Sequence, residues 1–288
     1  MRVTFSVALA VLIQTQFNFA LAVVNGVRAK PGQFRSTVML RIYSNTQSPI
    51  CTGTYISAHH ILTAAHCVPE KNMTVNVVQN WIGTRQGEET DVVHVLDYKV
   101  HEKAFYSVHD PDQEKCRNAS VNENSDRCLD SSHDLAVLLV EEASPFFSPL
   151  NTKPLRHQTK IHVAGFGCTD LHKTKFDQWL EKQHPELALR SGTNTIDEIL
   201  AGTFSFRGKA DDRKVMGTRK PDGKLVLTCP GDSGGAVFDE SGTILGVSST
   251  YDSIDSEKTR SSSSTFARVD EPENMKFIAT EMAELKAP

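Results

Sequence analysis

The chain lacks the short Cys-x-x-Cys and His-x-His spacings of a structural zinc site, although it holds six cysteines. It lacks any apolar run long enough to cross a bilayer as a helix, since the longest candidate, residues 3–13, is too short. No internal repeat or low-complexity tract is present, and the run Ser261-Ser262-Ser263-Ser264 is short enough to be a loop. Nor is there a large excess of charge of one sign. A net charge of −4 argues against nucleic acid or an anionic membrane as the main partner. These absences leave an ordinary globular protein of 288 residues, with ample chain to bury a core.

The first 22 residues stand apart. Arg2 is their only charge, the apolar run follows it, and the segment closes on Ala20-Leu21-Ala22. That is the pattern of a secretory signal with a small-x-small cleavage site. Export to the extracellular space, or to the periplasm of a bacterium, makes disulfides the expected use of an even cysteine count. No metal and no cofactor is expected.

Short β-branched or alternating segments bounded by turn formers predict strands over 36–43, 74–78, 91–100, 135–140, 160–165, 236–238 and 243–248. Glu240-Ser241-Gly242 predicts the turn of a hairpin between the last two. Two helices are expected. One is short, over 176–183. The other closes the chain, with Asp270 as cap, Pro272 in its first turn, and Met275, Ile278, Met282 and Leu285 on one face. Residues 143–160, broken by Pro145, Pro149 and Pro154, read as a linker. Many short strands and few helices indicate an antiparallel barrel or sandwich protein.

Three segments bear chemistry when taken together. Thr63-Ala64-Ala65-His66-Cys67 places a histidine just after an apolar strand. Asp134 stands at the mouth of the strand Leu135-Ala136-Val137-Leu138-Leu139-Val140. Cys229-Pro230-Gly231-Asp232-Ser233-Gly234-Gly235 sets a serine among glycines. Alone, each has a bland reading as a surface histidine, a strand cap or a hydrophilic turn. The last also satisfies G-x-S-x-G, the nucleophile elbow of α/β-hydrolases. Those enzymes place their histidine after the serine and follow the serine with a helix. Here the last histidine is His184, and a strand, turn and strand follow Ser233.

In the order His, Asp, Ser, these motifs resemble the signatures of the trypsin/chymotrypsin family of serine endopeptidases. The resemblance covers nearly all of the chain after residue 22, from Val23-Val24-Asn25-Gly26 to Thr265-Phe266-Ala267-Arg268-Val269 and its helix. It implies two antiparallel six-stranded β-barrels packed together with a C-terminal helix, one over 23–150 and the other over 151–288. It further implies that His66 is the general base, Asp134 its orienting carboxylate and Ser233 the nucleophile, with the N–H groups of Gly231 and Ser233 as oxyanion hole. Asp232 is then expected to pair with a freed amine at Val23.

The same resemblance pairs Cys51 with Cys67 beside the histidine. Cys116 and Cys128 flank a polar insertion for which a local bridge is the economical pairing. Cys168 follows Gly165-Phe166-Gly167, which resembles the family's loop near the oxyanion hole, and that resemblance implies a pairing with Cys229. The family resemblance places Leu227, six residues before the serine, at the base of the substrate pocket, beside Thr228, with Ser248, Ser249, Thr250 and Ser264 as walls. A basic substrate side chain would meet no counter-charge there, so a small or medium apolar residue is expected. The implied partners are a protein or peptide substrate and, as a regulator, a protein inhibitor. The expected form is a monomer with no nucleic acid and no membrane anchor. The rival from another functional class is a protease-like binding protein that no longer cuts. Such homologues usually replace the serine or the histidine, and both are present.

Overall fold

The computed structural model describes residues 23–43, 50–68, 74–78, 92–107, 127–167, 188–208, 223–255 and 260–286. After a two-residue strand β1 (Val27–Arg28), the first half of the chain supplies β2 (Thr37–Tyr43), β3 (Ile50–Tyr55), β4 (His60–Thr63), β5 (Thr74–Val78) and β6 (Val92–Val100). It continues with β7 (Phe105–Ser107), β8 (Arg127–Leu129) and β9 (Ala136–Val140). Six of these close a barrel in the order β2-β3-β4-β9-β6-β5, and β7 and β8 form a separate ribbon. Every residue of β3, β4 and β9 is buried. Continuous apolar runs such as Ala136–Val140 reflect that covering on both faces, where a half-exposed strand would alternate.

The second half supplies β10 (Lys160–Gly165), β11 (Arg190–Thr195), β12 (Glu198–Ile199), β13 (Thr203–Gly208), β14 (Ala236–Phe238), β15 (Ile244–Asp255) and β16 (Arg260–Arg268). Together with β1 they form an antiparallel sheet in the order β1-β11-β10-β14-β15-β16-β13-β12. Phe204, Phe206 and Phe266 stack inside it, with ring centroids 5.1 and 4.9 Å apart. The hairpin turn predicted at Glu240–Gly242 joins β14 to β15. Asp239 Oδ1 accepts from the Ser241 and Thr243 amides at 2.8 and 2.9 Å, and Gly242 adopts φ +84°. Residues 143–159 form no strand of either sheet, although Leu150 bridges to Ile244 of β15. Ser144 and Ser148 donate to Ala58 and Tyr55 beside the first barrel, and Asn151 donates to Ile244 in the second.

Helix α1 (Pro272–Glu284) begins as expected at a proline, but its cap is Glu271, whose carboxylate accepts from Asn274 N at 2.9 Å. Asp270 is withheld from capping by Arg268, 2.7 Å away. Ile278 and Leu285 are buried, and Met275 and Met282 half-buried. Ile278 and Leu285 join the apolar cluster of the first barrel, and His60 Nε2 donates to Leu285 O at 2.8 Å. Each end of the described chain therefore crosses over. Residues 27–28 add a strand to the second sheet, and the helix seals the first barrel. Between those ends, β2–β9 make up the barrel and the ribbon, and β10–β16 the second sheet.

Two further expectations change. The serines 261–264 are not a loop; they lie in β16, paired with both β13 and β15. A strand between two partners draws its stability from ladder hydrogen bonds that polar side chains do not interrupt. Strand β15 runs on to Asp255, beyond the expected end at 248. The helix expected over 176–183 falls outside the described residues.

Cys51 and Cys67 are bridged, as expected, across a sequence separation of 16. Cys128 is also disulfide-bonded, while Cys116 lies outside the described residues. In the chain-entropy picture a loop of the first bridge's size is worth about 3 kcal/mol. Replacing Cys51 and Cys67 together by alanine should lower the urea midpoint by a corresponding amount, and an unchanged midpoint would refute the contribution.

Candidate active site

His66 sits on a single 3₁₀ turn, Ala65–Cys67, directly after β4, and the Cys51–Cys67 bridge ties that turn back to β3. Asp134 stands just before β9. It is fully buried, and a carboxylate there requires partners. It has three. Oδ1 accepts from His66 N at 3.0 Å, while Oδ2 accepts from His66 Nδ1 at 2.7 Å and from Ser249 Oγ at 2.6 Å. Burial pushes the His66 ring toward the neutral form. The charge and hydrogen bond of Asp134 outweigh that and leave its pKa above the ordinary value of 6.5. With Nδ1 donating to Asp134, Nε2 of the neutral ring is the free acceptor.

The loop that presents Asp134 is itself anchored. His133 bonds Asp130 through Nδ1 at 3.0 Å and Glu273 through Nε2 at 3.2 Å. Its pKa is raised, chiefly by the Asp130 hydrogen bond. Asn274 of α1 donates to Ser132 O at 2.8 Å. The terminal helix thus braces the carboxylate loop from outside the barrel.

Ser233 comes from the second sheet. The turn before it, Cys229-Pro230-Gly231-Asp232, is closed by Asp232 N donating to Cys229 O at 2.9 Å. Proline in the second position and Gly231 at φ +97° make it a type II turn, which demands glycine there. Thr52 N donates to Ser233 O at 2.8 Å, bringing β3 against the serine. Gly234 packs so closely on Thr63 and Ala64, just ahead of His66, that a Cβ would collide with them. Asp134 and His66 are thus bonded to each other, and the loop of Ser233 packs on Thr52 and on the residues just ahead of His66 where the two halves join. No hydrogen bond links His66 to Ser233 among the described contacts, a looseness common without substrate. The N–H groups of Gly231 and Ser233 likewise have no partner among the described residues.

Asp232 is buried at 1 % exposure. It accepts from Gly167 N at 2.8 Å, from Cys229 N at 3.1 Å and from the backbone N–H of Val23, itself fully buried. Burial drives its pKa up to about 7, against the opposing pull of these hydrogen bonds. Gly165 and Gly167 have no room for a Cβ because Asp232 occupies that space. The neighbouring Cys229 Sγ donates to Asp232 Oδ2 at 3.5 Å. Cys168, its expected disulfide partner, lies outside the described residues. The sulfur is engaged by the carboxylate.

The expected pocket residues divide. Leu227 is buried in the core of the second sheet, against Gly208, and exchanges backbone hydrogen bonds with Val24. Thr228 donates to Ser264 Oγ at 2.9 Å, and Ser248 is buried. Ser249, expected as a wall, turns its hydroxyl to Asp134 instead. A register shift between Ser248 and Thr250 sets Tyr251 opposite Ser264 and Thr250 opposite Thr265. Tyr251, 42 % exposed, therefore replaces Thr250 on the face that Ser264 shares. No sequence signal marks such a bulge in advance. Thr52 was also missed, because a threonine in a strand is unremarkable until its contacts are seen.

Cys51, His66 and Cys67 bring three potential metal-ligating atoms within 4.8 Å of one another. Both sulfurs are spent in the disulfide, so no thiolate remains to bind an ion. A cavity of about 520 Å³ lined by Phe34, Arg35, Phe146, His162 and Phe238 opens elsewhere and includes none of His66, Asp134, Asp232 and Ser233.

Comparison with known proteins bears on this geometry. A family model described as Trypsin matches residues 23–274. The CLIP domain-containing serine protease B8 of Anopheles gambiae is 26 % identical over 149 residues, 45 % of this chain and 34 % of that protein. Ovochymase-2 of Mus musculus is 22 % identical over 227 residues, 78 % of this chain and 33 % of that protein. The matches thus span about a third of the length of these two relatives. Among solved structures, neuropsin, a serine protease expressed in the limbic system of mouse brain, superimposes with a TM-score of 0.59 at 15 % identity, covering 90 % of this chain and 99 % of that one. Human heparin binding protein does so with a TM-score of 0.56 at 18 % identity, covering 92 % and 99 %. These two likenesses establish a shared fold.

Proposed function

The chain belongs to the trypsin family of serine proteases, and from that membership we propose that it is a secreted endopeptidase that cuts protein substrates through an acyl-enzyme on Ser233. Ser233 Oγ attacks the scissile carbonyl carbon while its proton passes to His66 Nε2. The imidazolium is stabilised by Asp134, and the tetrahedral oxyanion is held by the N–H groups of Gly231 and Ser233. Collapse breaks the C–N bond as His66 returns the proton to the leaving amine, and water then repeats the cycle on the ester. The observation that carries this reading is the Asp134–His66 pair. A buried carboxylate with three donors, two of them from one histidine, fixes a tautomer whose free nitrogen can accept a proton.

Export is supported by the Cys51–Cys67 disulfide and by residues 1–22. No helix among the described residues is long and apolar enough to cross a membrane. We further propose that removal of residues 1–22 frees the amine of Val23 for Asp232. The chain would then prefer a small or medium apolar residue before the cut, because Leu227 offers no counter-charge and Tyr251 crowds the face of Ser264.

The rival reading, a silent protease-like binding protein, draws on the missing His66–Ser233 hydrogen bond and on the buried Leu227. An activity-based fluorophosphonate separates the two. An endopeptidase is labelled on Ser233, with loss of labelling in Ser233→Ala, and cleaves a denatured protein. A chain processed to Val23 that takes no label and cuts nothing is the binding protein.

A further inference from the structure

Thr52 is wholly buried in β3, and every polar group it owns is engaged at the junction of the two halves. Its N–H donates to Ser233 O at 2.8 Å, and its carbonyl accepts from Thr63 Oγ1 at 2.9 Å. Its hydroxyl does two things at once. It donates to Gly231 O at 2.9 Å and accepts from Phe166 N at 3.2 Å. Beyond Thr54 strand β3 has paired with β4, but at Thr52 that ladder has ended, so its inner edge is open to the serine loop.

The Gly231 carbonyl belongs to the same residue as one of the two unpartnered N–H groups beside Ser233. That glycine sits at φ +97°, and glycine has few steric restraints of its own to hold one conformation. An anchor on its carbonyl therefore limits how far its N–H can wander. The anchor comes from the opposite barrel. Its second bond, to Phe166 N, ties it to the segment whose Gly167 holds Asp232. Without the hydroxyl, the Gly231 carbonyl and the Phe166 N–H would both lose a buried partner.

We propose that Thr52 is a positioning residue for the oxyanion loop: its hydroxyl clamps Gly231 from the first barrel and so sets where the Gly231 N–H meets the reacting oxygen. This rests on the acyl-enzyme reading above. Misplacement of a reacting geometry by about 1 Å costs on the order of 10²-fold in rate, which bounds the effect from above.

The test uses the chain processed to Val23, and its main readout is the second-order rate of Ser233 phosphonylation by a fluorophosphonate, whose P=O oxygen needs the same N–H groups. Thr52→Val, of like shape without the hydroxyl, should slow labelling by about 10- to 100-fold. Thr52→Ser should return it to within about threefold of the parent, since the hydroxyl is restored. The His66 titration followed by proton NMR should be the same in all three, because the Asp134 pair is not touched. If Thr52→Val does not fold, Thr52→Ala carries the same comparison with Thr52→Ser. A valine variant labelled as fast as the parent refutes the clamp while leaving the endopeptidase reading intact. So does a serine variant as slow as valine. A parent that takes no label at all removes both readings together.

Discussion

Asp134→Asn is expected to lower kcat by about 10⁴, the size of the loss that the same change causes in the trypsin-type triad. The geometry supplies the cause. Asp134 accepts from His66 N through one oxygen and from His66 Nδ1 and Ser249 Oγ through the other. An asparagine has one oxygen to offer. If it stays on His66 N, the amide NH₂ faces Nδ1, which must then accept, and the proton moves to Nε2. The ring cannot take the Ser233 proton in that tautomer. If the amide turns over, NH₂ faces the backbone N–H instead, and a buried donor is stranded.

The same substitution shifts the pH profile. His66 must be neutral to act as a base, so activity rises with pH through its pKa. Asp134 holds that pKa above 6.5 against the pull of burial. With the charge removed, what holds the pKa above 6.5 is gone, the pKa falls, and the acid limb should move to lower pH as the maximum rate collapses. Steady-state kinetics on a peptide substrate found by cleavage profiling would read both effects from about pH 5 to about 9, a range that brackets the ordinary histidine value. A variant that keeps most of its rate with the proton on the same nitrogen would remove the assigned role of Asp134.

The second large effect concerns Asp232 and Val23. In the unprocessed chain Val23 offers Asp232 an ordinary amide N–H, and the carboxyl pKa stands at about 7, above its ordinary 3.8. A raised acid pKa means that the folded state holds the proton more tightly than the unfolded one. Its contribution to stability is therefore complete below about pH 4 and lost as pH climbs through about 7. The loss is on the order of 4 kcal/mol for a group this buried. A free amine at Val23 would set an ammonium beside the carboxylate, lower its pKa and cancel that loss.

Two chains therefore behave differently: one beginning at Val23, the other carrying a single extra residue ahead of it. From about pH 4 to about 8, a window that spans the acid's two pKa values, the urea midpoint of the extended chain should fall relative to that of the Val23 chain. Its kcat/KM should be lower by about 10²-fold or more, because the loop bearing Gly231 and Ser233 hangs from Asp232. Parallel pH–stability curves together with equal activity would refute the pairing.

Much of the site could be read from the chain because its chemistry is local to short motifs. The type II turn demands Gly231, and the apolar run Ala136–Val140 announces a buried strand with Asp134 at its mouth. Other features could not be read because they are set by register and by distant contacts. Tyr251 displaces Thr250 through a single bulge, and a one-residue slip reverses which face a side chain takes. Ser249 reads as a pocket wall because nothing along the chain says its hydroxyl meets a carboxylate 115 residues away. The serines of β16 resemble a loop because their neighbours in β13 and β15, not their own propensity, make them a strand. Thr52 gives no signal at all.

What the amino-acid order carried alone is the family and its barrel architecture, and with them the hydroxyl, imidazole and carboxylate proposed to do the chemistry. That information survives in one dimension because turns and buried strands impose their residue types locally. Packing alone decided how the parts are held. The terminal helix braces the first barrel, Cys229 bonds the buried carboxylate of Asp232, and one threonine crosses the junction to the serine loop. Those outcomes depend on which surfaces meet, and contacts between residues far apart along a chain leave no periodic trace in it.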